Sequence, residues 1–140
     1  MTKEVSIIIE GTQIGVEEEP ILITASGTYH MHNDKHYIQY EELSEDGLGR
    51  SKNMIKIGAE KIEMTKRGAS SSEMSFDLMH TTPVTYQTPY GSLCFQAQTS
   101  QFIVEETNHT LEVTMEYSLY SKEEHISDNR TIIRIRSSQS

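Results

Sequence analysis

The sequence has a single cysteine, no tryptophan and no long apolar run, and each shortage excludes a class of protein. Cys94 cannot form an intrachain disulfide, which is typical of a protein from a reducing compartment. The apolar run Ile7–Ile9 ends at Glu10, so the first residues lack the long apolar core of a signal peptide. No stretch is long and apolar enough to span a membrane as a helix. We therefore expect a cytoplasmic protein with no membrane partner.

Basic residues are also scarce and dispersed. The 140-residue chain carries 21 acidic and 12 basic residues, a net charge of −9 with histidine neutral. Near pairs of basic residues include Lys66 with Arg67 and Arg134 with Arg136. A negative field without a basic patch repels phosphate backbones and anionic lipid. We therefore expect no nucleic-acid partner.

Helical periodicity is missing as well. No extended stretch repeats apolar residues at i, i+3, i+4 and i+7, whereas alternate apolar positions recur along the chain. This alternation predicts strands at about 3–14, 19–31, 36–43, 53–58, 60–66, 73–78, 82–87, 92–104, 109–121 and 130–137. Turn residues separate them, the last at Ser127–Asn129. Residues 1–140 suit one all-β domain, which must stack as a sandwich or close into a barrel. The short connections favour an up-and-down meander.

The pair Asn33-Asp34 predicts a two-residue hairpin loop and therefore a register. That register places Tyr40 opposite Gly27, where an aromatic ring can cover a residue without a side chain. It also places His36 on the apolar, inward face. In the strand at 92–104 the apolar positions change parity, which predicts a β-bulge near Ser100.

Three of the six histidines, His30, His32 and His36, lie close together in the sequence. In the predicted register His30 and His32 face outward while His36 faces inward, so they cannot converge on one metal ion. Paired carboxylates fall at loops and strand ends, where they favour solubility. The sequence contains no nucleophile elbow and no phosphate-binding glycine loop before a helix. We therefore predict no metal, no catalytic residue and no cofactor.

Two charged residues continue inward faces by strand parity. Glu42 follows His36, Ile38 and Tyr40, and Lys66 follows Ile62 and Met64. Buried charges are costly unless they are paired. One interpretation is a pair at the barrel rim, with the lysine stem lying over apolar neighbours. The other is a binding site for a polar or acidic ligand, formed by Lys66 and Glu42 with the tyrosines Tyr29, Tyr40, Tyr86 and Tyr117.

Several short segments share their order and spacing with a known family. They are Gly27–Tyr29, Tyr37–Glu42, Met54–Ile57, Lys66–Gly68, Met74–Phe76 and Tyr86–Gly91. In these segments the chain resembles the YwiB-like family of small bacterial proteins of unknown function, over most of its length. Family members commonly have arginine two residues before the glycine, where this chain has Lys66, a residue less suited to bidentate anion binding. The segment Thr88–Gly91 also has the pattern of a type I hairpin turn, with Pro89 at its second position.

The resemblance implies a single antiparallel, calycin-like (lipocalin-like) barrel of about eight to ten strands. It implies no activity, because the family has no assigned reaction. By analogy with that fold we expect a small apolar or amphipathic ligand inside the barrel. One alternative is a protein-interaction module with a filled barrel core. A second is a small hydrolase or isomerase that acts at the barrel mouth.

Overall fold

The computed structural model describes residues 3–43, 49–68, 71–88 and 90–137, and these residues form strands without any helix. The strands are β1 (Lys3–Gln13), β2 (Ile21–His32), β3 (Lys35–Leu43), β4 (Arg50–Ile57), β5 (Lys61–Gly68), β6 (Ser71–Asp77), β7 (Thr82–Thr88), β8 (Gly91–Glu106), β9 (Thr110–Ser121) and β10 (Glu124–Ser137). The described ranges accordingly contain no helix that could cross a membrane.

The strands close into one antiparallel barrel. Each strand pairs with its neighbours in sequence, and β10 pairs with β1 over nine residue pairs from Val5 to Gln13. Closure satisfies the edges that an open sheet of this size would leave unpaired. The predicted all-β antiparallel barrel with an up-and-down order is thus confirmed.

The β2–β3 hairpin has the predicted register. His32 pairs with Lys35 and Gly27 pairs with Tyr40. Asn33 and Asp34 both have positive φ, 51° and 63°, as a two-residue type I′ turn requires. A Cβ at Gly27 would overlap the Gln39 carbonyl oxygen, so the close approach of β2 to β3 requires glycine there.

The bulge prediction in β8 is confirmed, because the register with β9 shifts between Thr99 and Gln101. The prediction of a last turn at Ser127–Asn129 is wrong. The turn lies at Lys122 and Glu123, which have φ of 50° and 71°, and β10 begins at Glu124. The polar residues that suggested a turn belong to an irregular stretch of strand, where the β9–β10 register shifts between His125 and Ser127.

The carboxylate of Asp128 in this stretch accepts hydrogen bonds from Ser118 Oγ (2.6 Å) and His125 Nε2 (2.9 Å). These contacts lower the pKa of Asp128 below its ordinary value, with the Ser118 bond as the larger cause.

In the predicted turn at Thr88–Gly91, Gly91 has a φ of 123°, while Pro89 lies outside the described residues.

The two ends of the barrel differ in packing. One end contains the connections 33–34, 58–60 and 107–109, and we call it the hairpin end. The opposite end contains the connections 14–20 and 122–123, and we call it the cavity end. The most deeply buried side chains lie toward the hairpin end, among them Ile38, Ile57, Ile62, Phe76, Val84 and Val113. Their β-branched and aromatic side chains fill the inward face of the sheet and form the core.

Candidate functional site

A cavity of about 570 Å³ occupies the cavity-end half of the barrel. Its floor is the upper surface of the core, where Ile55, Phe76 and Met115 are buried. Met64 and Met74 form a cross-strand pair in its wall. Thioether side chains adapt to irregular apolar shapes. The lower part of the cavity therefore suits an apolar group of variable outline.

A row of polar side chains crosses five strands above this floor. Tyr40, Asn53, Lys66, Ser72 and Tyr86 are successive cross-strand partners from β3 to β7, and all of them line the cavity. We call these five residues the polar row. They share one face because directly opposed residues in an antiparallel sheet point to the same side. An amphipathic molecule would thus meet apolar atoms at the floor and polar atoms nearer the opening.

The two predicted inward charges meet beside the polar row. The Lys66 ammonium donates a hydrogen bond to Glu42 Oε2 at 2.8 Å, across the intervening strand β4. Both side chains are more than two-thirds buried and line the cavity. Charge-assisted bonds of this length are among the stronger hydrogen bonds in proteins. The cavity therefore contains a neutralised ion pair rather than a free cation.

Two polar atoms at this site lack hydrogen-bond partners among the described residues. They are Glu42 Oε1, an acceptor, and Asn53 Nδ2, a donor, and both atoms are shielded from solvent. Asn53 as a whole is 7% exposed. A buried polar group without a partner costs about 1–3 kcal/mol, so such groups are uncommon in native structures and mark a position of interest.

Three tyrosines of the cavity have un-ionised phenols at neutral pH. Burial, and secondarily the Glu42 carboxylate, raises the pKa of Tyr40 to about 12. Burial also raises the pKa of Tyr86 and of Tyr117. The Tyr86 hydroxyl donates to Met74 Sδ at 3.5 Å, and the Tyr117 hydroxyl lies 3.4 Å from Thr131 Oγ1.

Tyr29 lies toward the hairpin end, apart from the other predicted site residues. Its hydroxyl is 2.7 Å from His36 Nδ1, and His36 Nε2 lies 3.6 Å from Glu106 Oε1. Burial, followed by the Glu106 charge, raises the pKa of Tyr29. The structure thus brings five of the six predicted residues, Tyr40, Glu42, Lys66, Tyr86 and Tyr117, to one cavity. A ligand-binding role for any of the six stays a prediction.

The remaining chemical candidates lie outside the cavity. His30 stacks on Tyr37 at 5.1 Å on the outer face, opposite in orientation to the inward-facing His36. Within the described ranges no group of three or more His, Cys, Asp or Glu side chains is placed to hold a metal ion. Cys94 is an exposed free thiol.

The contact of Ser118, Asp128 and His125 has the wrong order for a catalytic triad. The Asp128 carboxylate lies between the other two side chains, whereas a triad requires the imidazole between hydroxyl and carboxylate. This contact fastens neighbouring strands on the barrel surface.

Sequence reasoning missed three inward polar residues of the cavity, namely Asn53, Ser72 and Thr131. Each stands two positions before an apolar residue of the inward face, respectively Ile55, Met74 and Ile133. Strand parity alone could have found them. Their partners could not be read from the sequence, since hydrogen bonding depends on side-chain orientation.

Comparison with known proteins identifies the family. Residues 7–133 match the family described as a domain of unknown function (DUF1934), and the chain belongs to that family. The crystal structure of the ywiB protein from Bacillus subtilis has the same fold, with a TM-score of 0.82, 15% identity, and coverage of 99% of this chain and 94% of that one. No curated protein matches the sequence. The YwiB-like resemblance of the sequence segments is thus confirmed, and with it the fold.

Proposed function

We propose that this protein is a cytoplasmic, lipocalin-like carrier that binds a small apolar or amphipathic molecule in the cavity. The observation that carries the proposal is the cavity itself: about 570 Å³ of space with an apolar floor and a polar row above it. Ligand sites in proteins have volumes of about 300–1,000 Å³, mostly apolar walls and a few convergent polar groups. The analogy with lipocalin-like barrels supports the same ligand class, although fold by itself does not determine function.

A filled barrel core, the premise of the interaction-module alternative, is disfavoured by this volume. An interaction through a strand edge has separate support. Among the described residues β2 pairs with β3 only over Gly27–His32, so Ile21–Ser26 have no partner on that side. Ile21 and Leu22 are exposed in this segment. An unpaired edge of this kind can accept an extended peptide as an added strand.

A small hydrolase or isomerase at the mouth remains the least supported alternative. The side-chain hydrogen bonds that join two of the described cavity residues pair Lys66 with Glu42, Tyr86 with Met74, and Tyr117 with Thr131. None of these contacts places a hydroxyl or thiol against a general base, which is how serine, threonine and cysteine nucleophiles are activated.

The test of the carrier proposal fills the cavity from a position that tolerates a side chain. Gly11 lines the cavity, and a Cβ there would have no heavy atom within 4 Å. Gly11→Phe should therefore place a ring in part of the cavity, with no clash at its Cβ atom. The control is Ser6→Phe, which adds the same ring to the exposed outer face of the same strand.

The measurement is titration with N-phenyl-1-naphthylamine, a neutral fluorescent probe, together with native mass spectrometry of protein purified gently from its host. We expect saturable binding to the unmodified protein and to Ser6→Phe, and at least about tenfold weaker binding to Gly11→Phe. Equal binding by all three proteins, or none by the unmodified protein with no co-purified mass, would overturn the proposal.

A further inference from the structure

Among the described residues, the polar end of the cavity contains one hydrogen-bond donor and one hydrogen-bond acceptor that have no partner, and the two lie in neighbouring positions. Asn53 pairs directly with Lys66 across the β4–β5 ladder, and Lys66 in turn binds Glu42. The unpartnered atoms, Asn53 Nδ2 and Glu42 Oε1, therefore stand on the two residues that adjoin the same lysine. A ligand group that reaches both would have to accept one hydrogen bond and donate another.

The charge of the site disfavours an anionic ligand. The Lys66 ammonium is already neutralised by Glu42 Oε2 at 2.8 Å, and the other oxygen of that carboxylate is buried with no hydrogen-bond donor among the described residues. A ligand carboxylate placed here would meet the Glu42 charge with no free cation to compensate it. The net charge of −9 on the whole chain acts in the same direction.

We propose that the cavity selects amphipathic molecules whose head group is neutral and both donates and accepts hydrogen bonds, as a primary carboxamide does. This inference rests on the proposed carrier function. The head group accepts from Asn53 Nδ2 and donates to Glu42 Oε1, while the apolar part lies on the floor of Ile55, Phe76 and Met115. Satisfying buried polar groups gives the strongest discrimination between ligands of similar shape, because the wrong ligand leaves those groups unpaired.

The experiment compares three ligands with the same chain length by calorimetric titration at pH 7.5. Decanamide donates and accepts, methyl decanoate only accepts, and decanoate is an anion. We expect decanamide to bind most tightly, the ester about tenfold more weakly, and decanoate more weakly still. Decanoate or ester binding as tight as decanamide binding overturns the inference and leaves the carrier function standing.

Variants assign the preference to the named atoms. Asn53→Leu, which removes the unpartnered donor at similar volume, should weaken decanamide and ester binding alike and leave decanamide the tighter of the two. Glu42→Gln, which leaves Lys66 without its counter-ion, should reverse the order in favour of decanoate. The control is Thr99→Val, since Thr99 Oγ1 is also buried without a partner but does not line the cavity. Undiminished decanamide binding in Asn53→Leu, or an unchanged ligand order in Glu42→Gln, overturns the inference.

Failure of the inference and failure of the carrier function are distinguishable. If none of the three ligands binds but the neutral naphthylamine probe does, the head-group inference is wrong and the cavity still binds apolar molecules. If neither the ligands nor the probe binds, the carrier function itself is wrong, and the inference falls with it.

Discussion

The hairpin end and the cavity end are built from the same strands, yet their inward faces differ in kind. Along β5 the inward residues change from Ile62, which is fully buried, through Met64 to Lys66. Along β8 they change from the buried Ala97 to Leu93, which is 51% exposed. The alternation of inward and outward residues therefore continues through both halves of the barrel. Apolar side chains fill the interior only in the hairpin-end half.

This difference separates the part of the barrel that stabilises the fold from the part available for binding. Apolar burial at the hairpin end contributes about 25 cal/mol per Å² of surface removed from water. The cavity end instead retains unpartnered polar atoms on Glu42 and Asn53 and a largely buried ion pair, each of which lowers stability relative to an apolar filling. Local violations of packing rules of this kind are concentrated at functional sites.

The comparison predicts its largest effect for a matched pair of truncations. Ile62→Ala at the hairpin end should lower the free energy of unfolding by about 2–5 kcal/mol, because it creates a cavity in a closely packed core. Leu93→Ala at the cavity end should cost less than about 1 kcal/mol, since that side chain already faces open space. Urea denaturation of the two variants checks both values. Equal losses would show that the two halves contribute alike to stability.

The second prediction concerns the dehydration of the cavity end. The pKa of Tyr40 is raised from 10.0 to about 12. Because the folded pKa lies above the unfolded pKa, the protonated phenol favours the folded state. Its contribution to the free energy of unfolding is fully present below pH 10 and is lost as the pH rises from 10 to 12. The loss should amount to about 2–3 kcal/mol.

Tyr40→Phe should remove this part of the alkaline loss, while the titration of other groups stays common to both proteins. The measurement is the free energy of unfolding at intervals between pH 8 and pH 12 for the unmodified chain and the variant. Parallel curves would mean that Tyr40 is hydrated, and the cavity end would then be as wet as the outer surface.

Much of the structure of the hairpin end could be predicted from the sequence, because short sequence patterns determine its turns and strand registers. The Asn33-Asp34 turn determined the register of β2 with β3, and that register placed Gly27 against Tyr40. The change of parity in β8 located the bulge between Thr99 and Gln101. Each of these inferences depends only on turn geometry and on the two-residue period of a strand.

Less of the cavity end could be predicted, because its properties depend on contacts between distant strands. Parity placed Glu42 and Lys66 inward, but residue types gave no measure of the empty volume between them. Tyr29 shares the inward face with Tyr40 and still lies in the other half of the barrel, since parity assigns a face and not a depth. The last turn was misplaced because Ser127–Asn129, although polar, are held in β10 by contacts with β9.

The smallest expected effect distinguishes an ion pair inside the barrel from one outside it on the same strand. Lys66 binds Glu42 at 2.8 Å within the cavity, whereas Arg67, the next residue, binds Glu73 at 3.3 Å on the outer face with both side chains largely exposed. Removing one partner of the inner pair leaves the other charge partly buried and uncompensated. Glu42→Gln and Lys66→Met should therefore each destabilise the protein more than the double substitution does, with a coupling energy of about 1 kcal/mol.

The same cycle with Arg67→Met and Glu73→Gln should give a coupling close to zero, because solvent screens the outer pair. Denaturant titrations of the seven proteins, with the unmodified chain as the shared reference for both cycles, provide the two values. Equal coupling in the two cycles would mean that solvent reaches Lys66 and Glu42 as freely as it reaches the outer surface, and the contrast between a dry cavity end and a wet exterior would no longer hold.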